Sequence, residues 1–185
     1  MFQPEYVESI LISEEDIKKR VKQMGSLITR DFIDRDVFLL VILQGSIFFA
    51  TDLSREIKTR TEFGFMAVSS YGDSTQSSGE VKIVKDLDQS IKGKNVIIVE
   101  DIVDTGLTLS YLTRVLLERK PKVLRIASLL CKPSCLQVKI DIDYLGFSIE
   151  DKFVIGYGLD FIQFYRNLPY IGILKEEYYS QATED

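Results

Sequence analysis

Apolar residues along the chain fall into two rhythms. Ile17, Val21, Met24, Leu27 and Ile28 recur at helical spacing behind Ser13-Glu14-Glu15-Asp16, where Ser13 can cap and the three acids suit the positive end of a helix dipole. The other rhythm is the apolar run: Val37 to Leu43, Phe63 to Val68, Val96 to Val99 and Val123 to Leu130 read as buried strands. Between them, a stretch opened by Gly45-Ser46 and running through Ile57 reads as a helix, as does one marked by Leu109, Leu112 and Leu116 that stops before Pro121. Short apolar strands alternating with helices predict βαβ units, hence an α/β fold with a mostly parallel sheet flanked by helices.

Two stretches depart from this alternation. Ser69 to Lys82 reads SSYGDSTQSSGEVK, too polar to form a core, and is either a surface loop or an active-site lid. From Ile142 onward come the short strand-like pieces IDYLGF, KFVIGY and YIGIL, with turns between them and no long helix. These predict a small hood packed on the α/β core, built mainly from the N-terminal segment and about 142–185. A hood of roughly 45 residues seldom holds a core alone, so residues 1–185 are expected to form a single domain. There is no internal repeat and no low-complexity tract.

Composition narrows the chemistry. The chain has 185 residues, 45% hydrophobic and 28% charged, an ordinary globular balance. Its net charge of −5 supplies no global positive field for nucleic acid or an anionic membrane, so neither is expected as a partner. Apolar runs fall far short of the ~20 residues that span a bilayer, and the start MFQPEYVESI is acidic where a signal peptide is basic; a cytoplasmic location is expected. With no histidine in the chain, Ser/His, Cys/His and His-ligated metal mechanisms are excluded. Cys131 and Cys135, the only cysteines, cannot complete a usual zinc site and are read as buried thiols or, alternatively, a redox pair. Catalysis must run on carboxylates, lysine, hydroxyls and metal.

The most informative stretch is VIIVEDIVDTGLT, Val96 to Thr108. It sets acids and hydroxyls where a parallel strand gives way to a helix, the place where open α/β sheets bind ligands. Asp104 to Thr108 can wrap a phosphate with backbone N–H groups and the hydroxyls of Thr105 and Thr108, Gly106 allowing close approach. The adjacent acids Glu100 and Asp101 can meet ribose hydroxyls or a Mg²⁺ ion. Neither G-x-G-x-x-G nor G-x-x-x-x-G-K-[ST] is present, which disfavours a generic dinucleotide-binding or P-loop enzyme.

The string VEDIVDTGLTL closely resembles the phosphoribosyl diphosphate (PRPP) signature of the type I phosphoribosyltransferases, in its hypoxanthine-guanine form. The resemblance continues through LLVILQGSIFFATDL, VSSYGDSTQSSGEV and DKFVIGYGLDFIQFYRNLPYIGIL, with the first ~35 residues contributing least. It implies a purine-salvage enzyme that transfers the phosphoribosyl group of PRPP to hypoxanthine, guanine or both with Mg²⁺, working as a homodimer or homotetramer. By the same resemblance Asp104 is the proton acceptor beside the purine imidazole, while Glu100 and Asp101 meet the ribose and the magnesium. Thr105, Gly106, Leu107 and Thr108 hold the 5′-phosphate. Gln44 and Gly45 belong to the diphosphate loop, whose non-proline peptide is often cis in the family, and Arg166 is the second diphosphate ligand. Lys132 donates to the 6-oxo group, Phe153 stacks on the base, Val154 offers backbone groups to its edge, and Asp160 helps hold magnesium near the base. Ser69, Ser70 and Tyr71 begin the lid. Gln44 departs from the family, where lysine is common, so one cation for diphosphate is missing. A ligand-sensing regulator on the same fold is the competing class; the negative charge, the absence of an added winged-helix segment and the joint presence of Asp104, Lys132 and Phe153 argue against it.

Overall fold

The computed structural model describes residues 4–70 and 81–180. In chain order the first half runs β1 (Val7–Ile12), α1 (Glu14–Asp31), β2 (Val37–Leu43), α2 (Ile47–Glu56), β3 (Thr61–Ser70) and β4 (Val81–Lys85). The second half runs β5 (Asn95–Val103), α3 (Leu107–Glu118), β6 (Val123–Cys131), β7 (Tyr144–Ser148), β8 (Val154–Ile155), β9 (Ile171–Leu174) and the single turn α4 (Glu176–Tyr179). Six strands form one sheet in the order β4-β3-β2-β5-β6-β7, parallel throughout except for the antiparallel edge strand β4. A second sheet, β1-β9-β8, is antiparallel.

The central strands are apolar on both faces because both faces are covered. Along β2, Leu39 and Val41 pack with Ile17, Val21, Met24 and Ile28 of α1 and Phe49 and Leu53 of α2. The alternate residues Phe38, Leu40 and Ile42 pack with Leu109, Leu112 and Leu116 of α3. Each such fully buried side chain contributes about 1.5–3 kcal/mol of transfer free energy. Helix α1 starts where the sequence places it: Ser13 Oγ accepts from the Asp16 N–H at 3.1 Å. Val7, Ile155, Leu168, Tyr170 and Leu174 form a separate small core in the hood. Hood residues Val154, Tyr157, Leu159 and Ile171 nevertheless pack into the α1/α2 side of the main core, which ties the two layers together.

Three differences from the sequence reading bear on the site. Strand β5 does not stop at Val99 but pairs with β6 out to Val103, so Glu100 and Asp101 lie within the ladder and only Asp104 lies beyond it. Tyr144–Ser148, expected in the hood, instead extends the main sheet beside β6, because a parallel edge position was open there; the hood strands begin at Val154. Ser69 and Ser70 pair with Lys82 and Val81, since a ladder is made by backbone groups and needs no apolar side chains. Tyr71 and the rest of 71–80 lie outside the described residues. No helix of the described residues is long and apolar enough to cross a membrane.

The order of strands creates a switch point. From β2 the chain steps to β3 on one side, then returns to β5 on the other, so the neighbouring carboxyl ends of β2 and β5 open a crevice for ligand.

At the amino end of β6 a polar cluster closes the sheet. Arg125 Nη1 donates to Asp31 Oδ2 at 2.7 Å and the Tyr144 hydroxyl donates to the same oxygen at 3.0 Å. Burial and the neighbouring Asp31 push the Tyr144 hydroxyl up to about 12, so it stays a donor. Tyr144→Phe leaves the Arg125–Asp31 pair intact and is expected to lower stability by about 1 kcal/mol, read as a shifted urea midpoint, with ligand binding at the far end of the sheet unchanged.

Candidate active site

At the switch point three segments meet with no side chain between two of them. Gly45, just past β2, faces Asp101 of β5: a Cβ on Gly45 would lie 1.6 Å from Asp101 Oδ2. On its other side, a Cβ on Gly158 would lie 1.9 Å from the Gly45 carbonyl oxygen. Gly158 has φ +105° and follows β8 in the turn Gly156-Tyr157-Gly158. The Leu43–Gln44 peptide is cis. Ser46, fully buried, donates through Oγ to the Ile42 carbonyl and steers the chain into α2.

Burial dominates the two acids of β5, Glu100 and Asp101. Burial pushes Glu100 well above the usual carboxylate range, with Asp101 adding to the effect. Glu100 Oε2 is buried and has no hydrogen-bond partner. Asp101 is pushed up to about 6, chiefly by burial, although its Oδ1 accepts from the Ile102 N–H at 2.8 Å and Arg166 works in the opposite direction. The orphaned Glu100 oxygen and the raised Asp101 carboxyl are each the kind of oxygen donor that suits a hard divalent cation, although as consecutive residues of β5 they point to opposite faces of the sheet. Among the described residues no three such side chains converge as a ready cage, which agrees with Mg²⁺ usually taking one or two carboxylates plus substrate oxygens.

Next along the chain, Asp104, Thr105, Gly106 and Thr108, with Glu100 and Val103, line a cavity of about 120 Å³. That is below the ~300 Å³ at which drug-sized ligands begin, so it fits a group such as a phosphate. Gly106 has φ +80° and starts α3, whose first turn has no side-chain cap. Thr105 Oγ1 accepts from the Leu107 N–H at 3.4 Å, closing the loop.

Arg166 joins the hood to the Gln44 loop. Its Nη1 donates to the Gly158 carbonyl at 2.7 Å and pairs with Asp160 Oδ1 at 2.8 Å; Nη2 donates to Gln44 Oε1 at 3.4 Å. The neutral amide of Gln44 can therefore accept from Arg166, which an ammonium in that place could not. Asp160 also accepts from the Gln163 N–H at 2.8 Å, so both its oxygens are engaged.

On the other side of Asp104 lies Lys132, 8% exposed at the end of β6. Its ammonium donates to Asp151 Oδ1 at 2.9 Å and reaches Asp104 Oδ2 at 3.5 Å. Burial works against the charge, but the two carboxylates outweigh it and raise the lysine above its ordinary value. Asp151 was not singled out by the sequence reading; its place immediately before Lys152-Phe153 was the available signal. Phe153 is stacked on Tyr179 of α4 at 5.0 Å and meets Phe161 edge-on at 5.6 Å, so one ring face is already covered. Val154 is buried in β8. Of the two thiols only Cys131 is buried; Cys135 is half-buried, and both are free. Burial, reinforced by Asp104, pushes both thiols up, which lowers their thiolate content. Ser69 ends in the β3–β4 ladder with Ser70.

The phosphoribosyl transferase domain model matches residues 10–162. The chain is 50% identical over 173 residues to the hypoxanthine-guanine phosphoribosyltransferase of Bacillus subtilis, covering 94% of this chain and 96% of that protein. It is 46% identical over 175 residues to the bifunctional protein TilS/HprT of Listeria monocytogenes, covering 95% of this chain and 27% of that longer protein. A crystal structure of a hypoxanthine phosphoribosyltransferase from Staphylococcus aureus superposes with a TM-score of 0.91 at 45% identity, over 94% of this chain and 95% of that one.

The raised strand-end acids make stability depend on pH. Between the ordinary aspartate value near ~4 and about 6, folded Asp101 keeps a proton that the unfolded chain has lost. Stability of the ligand-free protein therefore falls as pH rises through that window, and the full cost is present above it. Asp101→Asn is expected to raise the Tm at pH 7 by a few degrees, with the gain vanishing toward pH 4. Thermal melts across this range check it; a gain independent of pH would remove buried charge as the cause.

Proposed function

The chain belongs to the phosphoribosyl transferase family, and on that premise we propose that it transfers the 5-phosphoribosyl group of PRPP to N9 of hypoxanthine or guanine, releasing diphosphate and a purine nucleoside monophosphate. The observation that carries the reading is the double position of Asp104. It lines the small cradle at the start of α3 and lies 3.5 Å from Lys132, so one carboxylate joins a phosphoribosyl subsite to a purine subsite.

The residues divide the work accordingly. Backbone N–H groups of Thr105 to Thr108 and the two threonine hydroxyls take the 5′-phosphate at the helix N-terminus. Glu100 and Asp101 face the ribose hydroxyls. Asp104 accepts the proton from the purine imidazole and stabilises positive charge developing at ribose C1. Lys132 donates to the 6-oxo group, held upright by Asp151. The free face of Phe153 covers the base, and Val154 offers its backbone to the base edge. Gly45 N–H, the Gln44 amide and Arg166 receive the departing diphosphate. Glu100 and Asp101 would hold Mg²⁺, which when bound neutralises charge on the oxygens of PRPP; Asp160, expected to share in this, has both oxygens engaged, by Arg166 and by the Gln163 N–H. The lid role assigned to the segment beginning at Ser69 belongs to the same reading, as do a cytoplasmic location and a homodimer or homotetramer. Exposed Ile47 and Phe48 beside the Gln44 loop, with the stacked and exposed Phe63 and Phe65, support a subunit contact there.

Initial rates with PRPP, Mg²⁺ and each of hypoxanthine, guanine, xanthine and adenine test the function. The 6-oxopurines are expected to react and adenine to lag by up to ~10⁴-fold, because its amino group meets the donors of Lys132 with a donor. Comparable rates on adenine and hypoxanthine would refute it. Asp104→Asn is expected to lower single-turnover kcat by ~10²-fold, while Lys132→Ala narrows the hypoxanthine-to-adenine ratio. An unaltered ratio removes Lys132 from base selection.

A further inference from the structure

We propose that Tyr157 is a positioning residue for the diphosphate end of the site, acting through a hydrogen bond to Asp52 of α2. The inference rests on the phosphoribosyl-transfer reading above. Tyr157 lies between two glycines in a turn where three consecutive residues have positive φ, +97°, +49° and +105°. For the glycines that backbone is free; for tyrosine it must be over-determined by its surroundings. Its backbone N–H donates to the Leu168 carbonyl at 2.8 Å, the side chain is 7% exposed, and its hydroxyl donates to Asp52 Oδ2 at 2.7 Å across 105 residues of sequence. Burial first, then Asp52, raises the hydroxyl far above its ordinary value, so it remains a donor.

The two ends of this bond are the two halves of the diphosphate site. Asp52 sits one turn into the helix that follows Gln44-Gly45-Ser46. One residue beyond Tyr157, Gly158 presses against the Gly45 carbonyl and gives its own carbonyl to Arg166. Two residues further, Asp160 pairs with that arginine. Neither Gly45 nor Gly158 has a side chain with which to set its spacing. Phe48 also approaches the Tyr157 ring, at 6.4 Å, but only the hydroxyl supplies a directional link between helix and turn. The bond therefore sets how far the Gly45 amides stand from the Arg166 guanidinium, and leaves the Lys132–Asp151 side of the site untouched.

The test separates the two substrates. KM values for PRPP and hypoxanthine, kcat, and the Kd for diphosphate with Mg²⁺ by calorimetry are measured on wild type, Tyr157→Phe, Asp52→Ala and Asp52→Asn. Tyr157→Phe and Asp52→Ala are expected to raise the KM for PRPP and the diphosphate Kd by about tenfold, the scale of one hydrogen bond to a charged acceptor. The hypoxanthine KM should move by less than about twofold. Asp52→Asn keeps a carbonyl acceptor and is expected to rescue most of the loss. An unchanged PRPP KM, equal rises in both KM values, or Asp52→Asn as weak as Asp52→Ala would overturn the proposal. Because the Asp52 side chain is 43% exposed, its two variants carry the test even if Tyr157→Phe does not fold. A wild type inactive with PRPP would overturn the function itself, a result distinct from an active wild type matched by its variants.

Discussion

The site depends on the contact of Gly45 with Asp101 on one side and Gly158 on the other. A Cβ at either glycine would fall within covalent-like distance of its neighbour, so the loop after β2 and the turn after β8 approach as bare backbone, while the Asp101 carboxylate of β5 fills the space on the other side of Gly45. That approach leaves Asp101 only partly exposed, and burial is the first cause of its raised pKa. It also brings Arg166 of the hood within 3.4 Å of Gln44. Alanine at Gly45 would have to displace the carboxylate; alanine at Gly158 would have to displace a carbonyl and adopt a positive φ as well.

Charge is distributed unevenly along this crevice. At the strand-end acids, two carboxylates are buried together and one oxygen has no partner. At the far side, the ammonium of Lys132 is already shared by two carboxylates. The first arrangement is costly until positive charge arrives with the ligand; the second is satisfied beforehand and asks of its ligand only an acceptor atom. Under the proposed function, a polyanionic substrate escorted by a cation would meet the first demand and a neutral heterocycle the second. Arg166 stands between the regimes, engaged by Asp160 and Gln44 yet close enough to lower Asp101.

Much of this was legible in the sequence because local rules governed it. Val37–Leu43 is a strand to the residue, since seven consecutive apolar side chains, six of them buried, suit a strand covered on both faces. Ser13 caps α1 as its spacing to Asp16 requires. The string around Glu100 to Thr108 marked the small cavity before α3 for the same reason: the loop is contiguous, so its shape is written in one place. What could not be read were partnerships across distance. Asp151 holds Lys132 from 19 residues away, Tyr179 covers one face of Phe153, and Tyr157 reaches Asp52 across the molecule. No periodicity marks such pairs. The place of β7 was missed for a related reason: its five residues are mixed in burial, and only the open edge of β6 decides which sheet they join.

The pairing of β1 with β9, Val7 against Leu174, sets an order of events during synthesis. In chain order β1 precedes its partner by every strand of the six-stranded sheet. Because Val154, Tyr157, Leu159 and Ile171 complete the α1/α2 side of the main core, that side is filled only once the hood has arrived. A chain without β8 and β9 would hold the β2–β5 crevice but lack the turn whose Gly158 closes on Gly45.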